Sequence, residues 1–339
     1  MPDHAPTDFR RHAYDLLSTL SDQPGAVDRL ADSLAEDCVF HFSDPIGTLS
    51  GPEAIRDGFY QPLATALTGL RRRDAIFIGG RNRREAGGDW VASVTHYVGT
   101  FAAPFAEIAP SRRLVFLRSG EFYRIAEGRI AEGRIILDLV DLLRQAGRMP
   151  LPRMLGTEML FPSPATHDGV LPPSAGGEAS LDLVEAMLGN LHAFDPSSFE
   201  SRDLTGPGGV WHPEMLWYGP GGIGSTYRWD GFVQDHRRAF LTAFPDRKGG
   251  NHYARIGDGD YAAVSGWPSM TMTHQGEYLG QKADGRALTL RVMDFYRTTE
   301  RPELGRRIVE NWVLLDYIDL FRQMGRDLIA EAGEGSGRP

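Results

Sequence analysis

Arg307-Ile308-Val309-Glu310-Asn311-Trp312-Val313-Leu314-Leu315-Asp316, continued by Asp319, Arg322-Gln323 and Gly325-Arg326, is the stretch on which the fold turns, because the chain has already used most of it once. Arg129-Ile130-Ala131-Glu132, Asp138, Asp141, Arg144-Gln145 and Gly147-Arg148 stand 178 positions earlier, at the same spacing and without a gap. Apolar positions between them match in kind: Leu142 with Leu320, Leu143 with Phe321, Ala146 with Met324. Upstream, Glu121-Phe122-Tyr123-Arg124 matches Asp294-Phe295-Tyr296-Arg297 at an offset of 173, and Gly88-Asp89-Trp90 matches Gly259-Asp260-Tyr261. The second copy therefore holds five extra residues, expected in the turn around 298–305, since insertions settle in loops.

The 339 residues divide into a first domain over 1–148, a Pro/Gly-rich linker over 149–180, a second domain over 181–330 and a disordered tail over 331–339. A net charge of −9, with Arg71-Arg72-Arg73 as the densest basic run, argues against a nucleic-acid partner. The single cysteine, Cys38, rules out an internal disulfide and a thiolate zinc site, and its apolar neighbours suggest a buried side chain. The first residues lack the apolar core of a signal peptide, and no run approaches the ~18 apolar residues of a membrane span. The expectation is a cytoplasmic protein with no membrane partner.

Each copy opens with apolar residues at helical spacing: Tyr14, Leu17, Leu20 and Val27, Leu30, Leu34 in the first, Leu181, Val184, Met187, Leu188, Leu191 in the second. Strand-like runs follow, over 90–98, 114–124 and 135–139, then over 261–274, 287–296 and 308–317. Helices first and antiparallel strands later predict an α+β fold, with one cavity per copy under a curved sheet.

The closing segment 308–316 with Gln323-Met324-Gly325, and Thr273-His274-Gln275-Gly276-Glu277-Tyr278-Leu279-Gly280 before it, resemble the closing strand and central hairpin of SnoaL-like polyketide cyclases of the nuclear transport factor 2-like superfamily. The resemblance spans roughly 12–148 and 181–328. It implies two tandem cone-shaped α+β barrel domains, each a curved, mainly antiparallel sheet wrapped around helices with a deep apolar pocket. It also implies an intrachain pseudo-dimer, with a homo-oligomer as a further option. The family's studied cyclases close a ring by aldol condensation through an aspartate, without metal or organic cofactor. That aspartate matches Asp316, and Asp138 through the repeat. Copy one departs from the pattern: Arg134 replaces Trp312, and Tyr97, beside His96, takes the place of His274.

On a strand, Trp312, Leu314 and Asp316 share a face. If that face lines the pocket, Asp316 is a desolvated carboxylate suited to proton transfer. It could instead cap the following helix, although Asp319, matched by Asp141, suits that role better. His274 is a second acid/base or a half-exposed hairpin residue. His236 sits on an expected helix with Phe232, Phe240 and Phe244, towards either solvent or the pocket. Five of the six tryptophans, Trp211, Trp217, Trp229, Trp267 and Trp312, fall in copy two, which suggests that its cavity takes a flat or ring-shaped ligand. Trp217, Trp267 and Trp312 are the expected walls there, and Tyr97 in copy one. Arg291, inside a strand pattern, needs a partner such as Asp294, Glu310 or an anionic substrate group; Arg118 holds a comparable place. No histidine pair has metal-site spacing, and the glycines at 219–224 fit no phosphate loop, so neither a metal nor a cofactor is expected. The leading function is acid/base chemistry on a small carbonyl-bearing or cyclic substrate: cyclisation, isomerisation, or hydration and its reverse. The alternative is a domain that binds a small ligand without turning it over.

Overall fold

The computed structural model describes residues 8–158, 161–191, 195, 197–199, 201 and 209–334. In domain 1, helices α1 (Phe9–Leu17) and α2 (Ala26–Ala31) lead into β1 (Leu34–Phe42) and β2 (Thr48–Ser50). Helices α3 (Pro52–Ile55) and α4 (Gln61–Ala66) follow, joined by a π-helical turn, Arg56–Tyr60. Strands β3 (Leu67–Arg81), β4 (Asp89–Phe101), β5 (Leu114–Ala126) and β6 (Arg129–Leu137) and helix α5 (Leu139–Gln145) complete the unit. Domain 2 repeats the plan with α6 (Gly177–Leu191), β7 (Trp211–Tyr218), β8 (Thr226–Tyr227), α7 (Arg228–Phe232), a π turn at Val233–Arg237 and α8 (Arg238–Ala243). It closes with β9 (Ala254–Asp258), β10 (Tyr261–Thr273), β11 (Ala287–Arg301), β12 (Gly305–Leu315), α9 (Tyr317–Gln323) and α10 (Leu328–Glu334).

The two sheets share one strand order, β2-β1-β6-β5-β4-β3 and β8-β7-β12-β11-β10-β9. One strand pair in each sheet, β1–β6 and β7–β12, is parallel. The fold is α+β in two tandem domains, each with helices in the hollow of a mainly antiparallel sheet. Two features differ from expectation. The five extra residues lengthen the β11–β12 hairpin rather than a loop. The tail contributes α10 as far as Glu334, while 335–339 lie outside the described residues.

The middle of each sheet is buried on both faces, which explains why every residue of β12 from Arg307 to Leu315 is buried. The concave faces hold the domain interiors. The convex faces meet each other, and equivalent residues touch across the pseudo-twofold: the rings of Phe122 and Phe295 lie 5.6 Å apart. Trp90, Ile256, Met293, Trp312 and Leu314 join that layer. A Cβ on Gly80 would sit 2.8 Å from the backbone oxygen of Gly257, the counterpart of Gly79, so β3 and β9 approach where only glycine fits. Salt links cross reciprocally: Arg10 of α1 reaches Asp258 at 2.8 Å, and Arg83 reaches Glu185 of α6 at 3.0 Å. Among the described residues no helix is long and apolar enough to cross a membrane.

Candidate active site

Domain 2 keeps a cavity of about 100 Å³ between its sheet and helices. Period-two alternation turns Leu290, Val292, Asp294 and Tyr296 of β11 and Asn311, Val313 and Leu315 of β12 into it. Trp217 from β7, His236 from the π turn and Met187 from α6 face them.

Asp294 is the carboxylate of this cavity. Burial pushes its carboxyl up to about 7, against hydrogen bonds from the Asn311 and Tyr296 side chains that favour the charged form. Asn311 Nδ2 lies 3.4 Å from Asp294 Oδ1 and donates at 3.0 Å to the Phe295 carbonyl. Burial, with the Asp294 charge beside it, holds the Tyr296 phenol well above its ordinary range, so it stays a donor. His236 stacks on Trp217 with ring centroids 4.4 Å apart and planes 15° apart. Burial, then Arg237 and Arg247, push its imidazole down to about 3, so it is neutral at physiological pH. Its Nδ1 has no hydrogen-bond partner. The π turn that carries it is a form of helix frequent at functional sites. Arg247, also on the cavity wall, is lowered by burial to about 10 and remains a cation near neutrality.

Domain 1 fills the same space. Glu121 stands for Asp294, Tyr123 for Tyr296, Gly133 for Asn311, Phe59 for His236 and Phe40 for Trp217. A Cβ on Gly133 would lie 2.8 Å from the Phe40 ring, so the missing side chain is what lets Phe40 lie across the hollow. Phe42 and Phe59 pack behind it, their ring centroids 4.4 Å apart. Glu121 accepts from Arg72 at 2.7 Å, Tyr97 at 2.5 Å and Tyr123 at 2.9 Å. Arg72 pairs with Asp74 as well, at 2.8 Å, so one guanidinium serves both carboxylates.

Of the residues singled out in the sequence, the structure brings Trp217 and His236 together in the cavity. Asp316 and Asp138 do not line it. Each caps a helix, accepting from the Asp319 and Asp141 N–H groups, so the cap is Asp316 and not Asp319. Each also accepts from the other domain: Asp316 from the Asp44 N–H at 3.1 Å, Asp138 from the Gly221 N–H at 2.9 Å. Arg291 pairs with Asp316 at 2.8 Å and Arg118 with Asp138 at 3.3 Å, so Arg291 is held by neither Asp294 nor Glu310. Burial raises the Asp316 carboxyl to about 6 against the pull of Arg291. The shared face of Trp312, Leu314 and Asp316 exists, but it points at domain 1, and Trp312 Nε1 donates to the Pro162 carbonyl at 2.8 Å. The register of β10 slips between Gly266 and Met270, and Trp267 there faces a groove between the domains. His274 is fully buried behind Phe244, its Nδ1 3.1 Å from Asp284, and does not line the cavity. Tyr97 belongs to the Glu121 network of domain 1. Asp294, Tyr296, Asn311 and Arg247 were missed. The available signal was the alternation Val292, Asp294, Tyr296, which sets polar groups on one face of an otherwise apolar strand.

Among the described residues, no three His, Cys, Asp or Glu side chains come together as metal ligands. The family model for SnoaL-like polyketide cyclases matches residues 11–146 and 194–324. No curated protein matches the chain. Solved structures that resemble it include a candidate SnoaL-like polyketide cyclase from Jannaschia sp. CCS1, with 19% identity, 42% of this chain and 95% of that one covered, and a TM-score of 0.32. A protein with a ketosteroid isomerase-like fold from Catenulispora acidiphila, solved with trimethylamine, has 18% identity, 39% and 90% coverage and a TM-score of 0.30. An NTF2-like protein from Burkholderia thailandensis has 18% identity, 41% and 96% coverage and a TM-score of 0.31.

Proposed function

The chain belongs to the SnoaL-like polyketide cyclase family, and from that premise we propose that it is an acid/base enzyme whose working site is the domain 2 cavity and whose base is Asp294. The reaction class is removal of a proton next to a carbonyl of a small, largely apolar substrate, without metal or organic cofactor. The Asp294 carboxylate takes the proton as the C–H bond breaks, and the electron pair moves onto the carbonyl oxygen. Donors in the cavity then stabilise the enolate: the Tyr296 phenol, the Asn311 amide, or the N–H that a neutral His236 keeps. Returning the proton at another carbon isomerises the substrate; attack of the enolate on a second carbonyl closes a ring. Trp217 and the aliphatic walls exclude water from the reacting carbon. Asp316 and Asp138 are architectural, and domain 1 is a scaffold.

The observation that carries this reading is Asp294 itself, a carboxylate raised to about 7 on the wall of an apolar cavity. Such a group is poised to exchange protons near neutrality. The test is hydrogen–deuterium exchange of α-protons in a panel of small cyclic ketones, followed by NMR. Exchange that depends on the protein and vanishes in Asp294→Asn supports the proposal. Saturable binding without exchange across the panel would leave a binding protein.

A further inference from the structure

The domain 2 cavity shares a wall with a groove of about 420 Å³ between the domains. Arg84 and Ala86 of the β3–β4 loop line the groove from domain 1, and Asn251, His252 and Trp267 from domain 2. His252 lines both spaces, and Gly249 and Gly250 just before it face the cavity. The segment 249–253 is therefore the partition between them.

Domain 1 holds that partition. Arg84 Nε donates to the His252 carbonyl at 3.0 Å, and Asn82 Nδ2 to the Tyr253 carbonyl at 3.2 Å. Asn82 Oδ1 accepts from the Arg255 N–H at 3.0 Å. The Arg255 guanidinium reaches back to the Gly250 carbonyl at 3.0 Å and to His252 Nδ1 at 3.1 Å. Since arginine only donates, the neutral His252 ring carries its proton on Nε2. Glu185 of α6 takes Arg83 at 3.0 Å and Arg255 at 3.1 Å, and Met187, Leu188 and Leu191 of the same helix line the cavity. Residues 82–84 of domain 1 thus hold two walls of a cavity to which they contribute no atom.

We propose that the interdomain groove is the entrance and outer subsite of the domain 2 cavity, and that Asn82, Arg83 and Arg84 are positioning residues that set the width of its threshold at 249–253. The proposal rests on the reading of the cavity as the ligand site, but its test involves no turnover. Size supports it. At about 100 Å³ the cavity is smaller than the ~150 Å³ space that takes one benzene ring. A larger substrate must extend outward, and the groove offers it the Trp267 indole, the Arg84 cation and the Glu85 carboxylate. The ligand class that fits is a molecule with a small apolar reacting end and a polar or aromatic remainder.

The experiment places a thiol in the cavity, Ser269→Cys, in a Cys38→Ala background, and follows its modification by methyl methanethiosulfonate by intact mass. Ser269 and Cys38 are both buried, Ser269 on the cavity wall. Ala86→Trp, at an exposed position, narrows the groove and is expected to slow labelling about tenfold or more; Arg84→Ala frees the threshold and should speed it about threefold or more. A Leu114→Cys reporter on the exposed surface should react at one rate in all backgrounds. Asn251→Trp narrows the groove from the other side if thermal melting shows Ala86→Trp to be misfolded. Unchanged Ser269→Cys labelling behind a narrowed groove overturns the entrance. Unchanged labelling in folded Arg84→Ala overturns the positioning role.

Discussion

Glu121 and Asp294 stand at one position of the repeat with opposite electrostatic surroundings: Arg72 lies 2.7 Å from Glu121, whereas among the described residues no cation pairs with Asp294. The first carboxylate is spent on its own core and the second is left for chemistry. Asp294→Asn keeps the shape and removes the base, so turnover should fall by ~10²–10⁴-fold with melting unchanged or raised. Asp316→Asn should leave turnover within about threefold, because asparagine caps a helix about as well as aspartate. Initial rates and thermal melts of the two variants check both statements.

The pH dependence of turnover should carry the same signature. Asp294 must be ionised to accept a proton, so kcat/KM should rise as pH passes through about 7. His236, neutral above about 3, should add no second transition in the acid range. A rate profile from pH 5 to 9 measures this, and replacing Asp294 should remove the rise together with the activity.

Stability should depend on pH in the sense opposite to that of most carboxylates. The folded state holds the Asp294 proton up to about 7, whereas the unfolded chain releases it near 3.8. Between those values the native state binds more protons, so this group's contribution falls as pH rises, by on the order of 4 kcal/mol across the window. Urea unfolding of wild type and Asp294→Asn at pH 4 and pH 8 isolates it: the variant should gain on wild type at the higher pH.

The interdomain aspartates should matter for assembly. Asp316→Ala removes a helix cap, the acceptor of the Asp44 N–H and the partner of Arg291. The expected loss is about 2–4 kcal/mol, with Asp316→Asn losing much less. Asp138→Ala should behave in the same way. Denaturant midpoints of the three variants test the symmetry.

The repeat made the architecture legible, because one pattern written twice fixes two like domains. What the sequence could not convey was which face of β12 looks inward. Trp312, Val313, Leu314 and Leu315 are all apolar because both faces are covered, so alternation carries no sign there. The resemblance points Asp316 into the pocket, and nothing in the β12 pattern opposes that. On β11 the sign was present, since Asp294 interrupts an apolar face, but Arg291 nearby offered a ready partner for it. Strands β1, β2, β3, β7, β8 and β9 went unassigned, β1 because Leu34 continues a helical spacing that ends at Ala31. Trp267 was displaced by a register slip that Gly266 and Pro268 on either side of it announce, since glycine and proline inside a strand mark a bulge.

The contact of Phe122 with Phe295 on the pseudo-axis has an evolutionary reading. In a dimer of identical chains, every substitution is made twice, and a change that closes one pocket closes both. Joining the halves in one polypeptide lifts that constraint. Gly133 with Phe40 could fill one hollow while Asn311 with Trp217 kept the other open. The filled half cannot drift away on dilution, so each working site always has its scaffold, at any concentration of the protein.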